Sequence, residues 1–599
     1  MTERRKKMHQ LCVLSVLLLV FSFSNGQIDR TRYITLDEVR TDMEAYALTV
    51  WYGTEIEKFP LKILSVVRNR QPGEDMILVV GQDERFKQAG AVRGCSGSPV
   101  FIDGRLAGAL AAGWSAAKEP LYLVRPIEAM LEVGTLPATE PPGQGRRLIK
   151  MDVSQPLDLE TVAEQVTRAF ASRSAGDRPL LPLATSLPAH VCGELAEGFR
   201  SLGVMPIPGG LTASAVSDAT DETPFERGGV LSVVLCTGDI SLAGVGTVTE
   251  VDGDIVYGFG HDFTGIGAVE FPMGDGFVHS VIASRDMSFK LATPGTVRGT
   301  IQFDQYAAIR GQIGKMPTMV PMRITVERFN DPQVRTYACR LAYDREYTPM
   351  IARTIAQAAA LMRGPLPPEH TVRYQGRITV QGGEPIAFEN VSSGRSVAEV
   401  GSELLSTLTL LLNNSFEVVK PESIELDMVI EPDDSTAAIW SARLSQAVVK
   451  PGQTMTADVM LQTFRAERIA ASVELTIPET MPPGKYPLHL LGASAYNSFL
   501  NQNAPQRFRV VDAESLRTGL NRVLNMPRNR LYAVLPVPAT GLTLRRHELP
   551  DLPPSRMLLI QDARRLEPIE PYKNWIENSA GLDKIVSGGA QIELTVEQP

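Results

Sequence analysis

The stretch Val100-Phe-Ile-Asp-Gly-Arg-Leu-Ala-Gly-Ala-Leu110 is a pair of apolar arms around an Asp103-Gly104 turn. An Asp-Gly pair accepts the backbone angles of a tight hairpin turn, so the flanking arms read as paired strands. The same pattern runs through the residues ahead of it. Tyr46–Trp51, Leu61–Val67 and Met76–Val80 are rich in β-branched and aromatic residues, with Gly53, Pro72-Gly73 and Gly81 between them. From Tyr33 to about Thr135 the chain therefore reads as all-β, without the helices that a parallel sheet would need. Residues 27–136 are expected to form one β-barrel half.

Punctuation then marks the other units. Residues 137–182 are a linker, rich in Pro, Gly and Arg from Pro137 to Arg147, with a helical period from Leu157 to Ser172. A second helix is expected from Cys192 to Leu202. Strands return at Val230–Leu235, Val245–Val251 and Ile255–Phe259, the last two joined by Asp252-Gly253-Asp254. They place a second β-barrel half over 183–325. Residues 326–435 read as α+β, with a helix from Pro349 to Met362. Residues 436–512 alternate apolar and polar between Pro451-Gly452 and Pro483-Gly484 turns, the spacing of a β-sandwich. Residues 513–599 are mixed and rich in Pro and Arg.

Arg4, Arg5, Lys6 and Lys7 precede an apolar run from Leu11 to Phe23, and Ser24-Asn25-Gly26 offers small residues for cleavage. That order is a secretory signal over residues 1–26, with a signal anchor as the alternative; the run is shorter than the ~20 residues of a membrane span. The chain is accordingly expected to be exported: periplasmic, on the cell surface or secreted, with no transmembrane span after signal removal. Among its 599 residues the formal net charge is −9, and no Lys/Arg stripe carries interleaved aromatics. Nucleic acid is not an expected partner. Cys95, Cys192, Cys236 and Cys339 are too scattered for a zinc site or a disulfide framework, and most are expected to be buried thiols. No metal or organic cofactor is implied.

Gly94-Cys95-Ser96-Gly97-Ser98-Pro99 carries the sharpest chemical signal. A nucleophilic serine needs a loop that exposes its hydroxyl and turns backbone N–H groups toward a developing oxyanion; flanking glycines permit such a loop. In trypsin-like chemistry the donors would be the N–H groups of Gly94 and Ser96. Ser98 is the rival nucleophile, and a Gly/Ser-rich hairpin loop without chemistry is the plain alternative. An α/β-hydrolase elbow would lead from a strand into a helix, whereas this segment leads into a hairpin. For the general base, His261 in Tyr257-Gly-Phe-Gly-His-Asp262 stands where a strand ends in a Gly-flanked loop, a place suited to a cleft. Asp83 is the candidate third member, with Asp262 expected to point elsewhere on an extended backbone.

At these residues the chain resembles the SpoIVB peptidase family, whose nucleophile motif Gly-Met-Ser-Gly-Ser-Pro is matched here except at Cys95. The following Val-Phe-Ile-Asp-Gly-Arg-Leu-Ala-Gly-Ala, Arg125-Pro-Ile-Glu-Ala-Met130, the Gly260-His261 pair, Lys290-Leu-Ala and Asp83-Glu84-Arg85 extend the likeness. The resemblance implies a mainly β, trypsin-like double β-barrel and a Ser96, His261, Asp83 triad. It departs from the family in order: here serine precedes histidine, as in a circular permutation, and no PDZ-type module is evident. The implied activity is that of a serine endopeptidase on protein or peptide substrates, self-processing or directed at few envelope proteins, with the C-terminal β-rich region as a possible partner-binding surface. The alternative is a non-catalytic binding or scaffold protein on a degenerate peptidase core; an esterase or amidase comes third.

Overall fold

The computed structural model describes residues 28–114, 117–135, 157–174, 180–209, 225–394, 396–544, 547–561 and 569–598. The expected signal at 1–26 and much of the expected linker lie outside them. The chain starts with strands β1 (Glu44–Val50), β2 (Ile56–Gln71) and β3 (Glu74–Gly81), a short helix Glu84–Ala89, then β4 (Val92–Arg93), β5 (Pro99–Ile102), β6 (Arg105–Gly113) and β7 (Leu121–Pro126). Their order β1-β2-β3-β7-β6-β5 closes on itself as a barrel through the β1–β5 pairing. Inward residues alternate along each strand as the sequence pattern requires, and Phe59, Leu61, Ile63, Val79, Phe86 and Val124 fill the interior. Phe59 and Phe86 are both fully buried, each contributing roughly 1.5–3 kcal/mol by leaving water.

A second set of strands follows: β8 (Leu181–Thr185), β9 (Val204–Pro208), β10 (Val230–Gly238), β11 (Leu242–Asp252), β12 (Ile255–Gly258), β13 (Gly267–Ile282), β14 (Ser288–Gln305) and β15 (Ala308–Ile313). The pairings β10–β13, β13–β14, β14–β15, β15–β12, β12–β11 and β11–β10 form another closed ring. Thus the histidine-bearing barrel occupies 230–313, inside the expected 183–325; β8 and β9 extend its sheet beyond β11.

The sheet does not stop at the ring. Strand β10 also pairs with β17 (Arg335–Ala342), and β16 (Met319–Arg328), β18 (Thr371–Val380), β19 (Ile386–Ser393) and β20 (Pro421–Glu431) continue it. The expected boundary at 326 therefore falls within β16. Helices Tyr347–Leu361 and Ser396–Leu412 cover this extension, and one apolar core runs unbroken from the ring to both helices. The helix Leu159–Ser174 packs there too: Ser406 Oγ donates to the Leu159 carbonyl at 2.5 Å, so this part of the expected linker is core. The expected second helix is a pair of short ones, Ala189–Glu194 and Ala196–Ser201.

The expected sandwich over 436–512 is corrected by its partners. One of its sheets contains strands Thr436–Leu444, Thr454–Thr463 and Arg468–Thr476 but is completed by Ile585–Ser587. In the other sheet, Gly484–Leu491 pairs with Arg530–Val537 and Gly589–Val596. Both sheets share one apolar core. Three of the five strands of the second layer come from residues whose Pro- and Arg-rich composition masked them. No helix among the described residues is long and apolar enough to cross a membrane.

Candidate active site

The two barrels meet along the loop over residues 94–99. Gly94 and Gly97 bracket Cys95-Ser96 at φ 93° and 94°, angles that side-chain-bearing residues rarely adopt. Gly97 also has no room: a Cβ there would stand 2.0 Å from the Thr247 carbonyl oxygen and 2.5 Å from Phe259 N. The loop backbone is thus pressed onto β11 of the opposite barrel. Thr247 N donates to the Ser96 carbonyl at 2.9 Å, Thr247 Oγ1 to the Gly94 carbonyl at 3.0 Å, and Thr249 Oγ1 to the Gly97 carbonyl at 2.6 Å. Strand β4 adds a parallel pairing to β14, Val92 to Ser288 and Arg93 to Phe289. Ser98, the rival nucleophile, is fully buried with its hydroxyl donating to the Cys95 carbonyl at 2.6 Å. That hydroxyl ties the turn together.

Buried charges brace the same seam. Lys290 is 6% exposed and donates Nζ to Thr49 Oγ1 of the first barrel at 2.8 Å and to Thr247 Oγ1 of the second at 3.4 Å. Burial pulls its ammonium below the usual lysine range, with the neighbouring Cys95 acting against that shift. Glu250, fully buried on β11, takes Arg32 at 2.8 Å and Arg227 at 2.7 Å, so a residue ahead of the first barrel is tied to the second. Sequence patterns carry no sign of this pairing, because its members lie far apart in the chain.

His261 arrives from the loop after β12. Phe259, at φ 68°, and Gly260, at φ 69°, turn the chain sharply. A Cβ on Gly260 would come within 3.2 Å of the Ala109 and Ala111 side chains on β6, and Arg125 Nε donates to its carbonyl at 3.3 Å. The His261 ring lies 5.8 Å from the Phe259 ring, centroid to centroid. Asp304, which sequence reasoning missed, holds the next residues: its buried carboxylate accepts from Phe263 N at 2.7 Å, Thr264 N at 2.5 Å, Gly265 N at 2.9 Å and the Thr264 hydroxyl. Burial pushes its pKa up, and the Thr264 hydroxyl and the loop amides oppose that.

Ser96 and His261 line one cavity of about 410 Å³, together with Gly94, Asp262, Arg93 and Arg125. His261 Nδ1 is 2.7 Å from the Asp262 carbonyl oxygen. A carbonyl can only accept, so Nδ1 carries the proton and Nε2 is left with its lone pair. Burial holds the imidazole below its ordinary value; the Asp262 carbonyl and charge act against this, while Arg125 and Arg93 add to it. The ring is consequently neutral near pH 7. Asp262 lines the cavity, but it is its backbone carbonyl that meets the ring; its carboxylate lies toward Gly265, where an added Cβ would stand 2.5 Å from Oδ2.

Asp83 is not among the residues that line this cavity. It caps the helix Glu84–Ala89, accepting from Arg85 N at 2.8 Å and Arg85 Nε at 3.1 Å. Burial alone would raise its pKa, but these bonds outweigh it and the net shift is downward. The Asp-x-Arg spacing that suggested a triad member is here the local geometry of an N-cap. All four described cysteines are buried free thiols, Cys95 within the turn that Gly94 and Gly97 flank.

No curated protein and no solved structure matches the chain. Residues 21–130, which contain the whole serine-bearing barrel with Gly94 and Ser96 but not His261, match the model of the SpoIVB peptidase S55 family, a match that supports a serine peptidase.

Proposed function

We propose that the chain is a serine endopeptidase of trypsin-like chemistry whose two barrels are joined in permuted order, with Ser96 as nucleophile and His261 as general base. The observation that carries this is the convergence of Ser96 and His261 on one cavity, at the seam of two closed six-stranded rings, from distant parts of the chain. Neutral His261, with Nδ1–H directed at the Asp262 carbonyl, has the tautomer that a base requires: Nε2 takes the Ser96 hydroxyl proton as Oγ attacks the scissile carbonyl. The proton then passes to the leaving amine as the C–N bond breaks, and water releases the acyl group by the same route. The Gly94 and Ser96 N–H groups are the oxyanion donors, in a turn that the Thr247 and Thr249 bonds hold in place. In this reading Asp262, rather than Asp83, orients and stabilises the imidazolium. The basic patch and apolar run of residues 4–23 support action outside the cytosol, and the C-terminal sandwich is the proposed platform for an envelope partner. Incubation with a fluorophosphonate tests the mechanism. The adduct is expected on Ser96, absent from Ser96→Ala and strongly slowed in His261→Ala. Wild-type-like peptide cleavage by folded Ser96→Ala would rule the mechanism out, and a folded wild type inert to both probe and peptides would favour the scaffold alternative.

A further inference from the structure

Arg93 ends β4 directly ahead of the nucleophile turn and lines the cavity that Ser96 and His261 share, yet the chemistry above makes no use of it. Its Nη1 donates to the Leu180 carbonyl at 3.2 Å, and its Nε is buried with no hydrogen-bond partner. Among the described residues no carboxylate pairs with it. The other cavity arginines differ: Arg125 is held by Glu74 at 2.7 Å, and Arg70 lies 3.9 Å from the same carboxylate. Burial pulls the Arg93 guanidinium below the usual arginine range, no acidic neighbour opposes it, and its charge is felt at His261. Removing a guanidinium from water without a counter-charge is costly, and here apolar Leu181, Pro182 and Phe170 wall the same space. A fork of N–H donors beside this apolar wall matches the planar, bidentate geometry of a carboxylate.

We propose that Arg93 is a specificity-determining residue that binds a carboxylate of the substrate next to the scissile bond. The assignment rests on the serine-peptidase reading and adds the substrate class to it: peptides bearing an acidic side chain, or a free C-terminal carboxylate, within reach of the nucleophile. The bound carboxylate supplies the missing counter-charge and also removes the repulsion between Arg93 and the imidazolium formed during attack. Substrate binding and general-base catalysis are then electrostatically linked.

The test uses the full chain and peptide pairs that differ only in Glu against Gln at each position flanking the scissile bond, with a further pair ending in a free acid or an amide. Wild type is expected to favour the carboxylate member by about ten- to a hundredfold in kcat/KM, the range that a charge-assisted hydrogen bond supplies. The position, or the C-terminal pair, that shows the effect identifies the source of the carboxylate. Arg93→Gln should bring the ratio close to one, and Arg93→Glu should turn the preference toward Lys. The same pairs, titrated as ligands of Ser96→Ala, give the ratio of Kd values without turnover. Equal affinities, no binding of either member, or a preference that survives Arg93→Gln overturns the assignment. Fluorophosphonate labelling of Ser96 reads the parent hypothesis separately: a chain that labels but shows no charge preference loses only the role of Arg93. A chain that neither labels nor cleaves loses the peptidase reading, and the binding ratio then decides Arg93 by itself.

Discussion

Replacing Gly97 by alanine adds one methyl group at the point where the serine loop touches the histidine barrel. Two costs arise. The backbone is held at φ 94°, where a side chain is strained by about 1–3 kcal/mol. The methyl group would also lie 2.0 Å from the Thr247 carbonyl and 2.5 Å from Phe259 N, both backbone atoms that cannot rotate away. Overpacking of that kind costs about 1–3 kcal/mol, and the displaced loop also weakens the bonds from Thr247 N and Thr249 Oγ1, each about 0.5–1.5 kcal/mol. A loss at the seam of about 3–9 kcal/mol follows, against the backbone strain alone, about 1–3 kcal/mol, for Gly104→Ala. Gly104 has a similar φ, 76°, but open space around its missing side chain. The pair therefore separates backbone strain from the contact between barrels. Global unfolding of so large a chain is not a two-state measurement, so amide hydrogen exchange is the appropriate assay. Peptides covering 94–98 and 244–250 should lose protection by about a hundredfold or more in Gly97→Ala, since each 1.4 kcal/mol is a factor of ten, and change little in Gly104→Ala. Fluorophosphonate labelling should fall in parallel. Protection at the seam that matches wild type in Gly97→Ala would refute the claim that this contact holds the loop in place.

Other outcomes follow from the same geometry. Asp304→Asn should slow labelling of Ser96 by about tenfold or more, because an amide cannot accept from four donors and its NH₂ would face an N–H of the 263–265 loop. The Asp83→Ala change should cost about 0.5–2 kcal/mol of local stability at the helix start, seen as faster exchange over 84–89, while labelling proceeds at the wild-type rate. The lowered pKa of His261 has a definite sign: the base form persists below pH 6.5, so the acid limb of a kcat/KM profile should fall below that value. Since the unfolded imidazole binds a proton at higher pH than the folded one, His261 should also reduce stability as pH falls below about 6.5, and His261→Gln should flatten that trend in acid-unfolding curves.

What the sequence alone determined is local. The Asp103-Gly104 turn, the β-branched runs from Tyr46 onward and the glycines around Ser96 act through a few neighbouring backbone angles, so they could be read directly and agree with the strands and turn observed. The pairing of Ser96 with a cavity that also contains His261 was suggested by the Gly-flanked strand end at His261 and by the family motif, not by any periodicity. Tertiary structure decided the rest, for one physical reason: closure of a ring and neutralisation of buried polar groups are contacts between residues distant in the chain. The β12–β15 pairing in the second ring, Glu250 clasped by Arg32 and Arg227, and Asp304 fastening the histidine loop leave no periodic trace. The same holds for the strands after Arg530, whose composition hid them until the facing sheet supplied an apolar surface to cover. Asp83 shows the converse, since a spacing that fits a distant histidine is satisfied two residues away, at Arg85, where a helix begins.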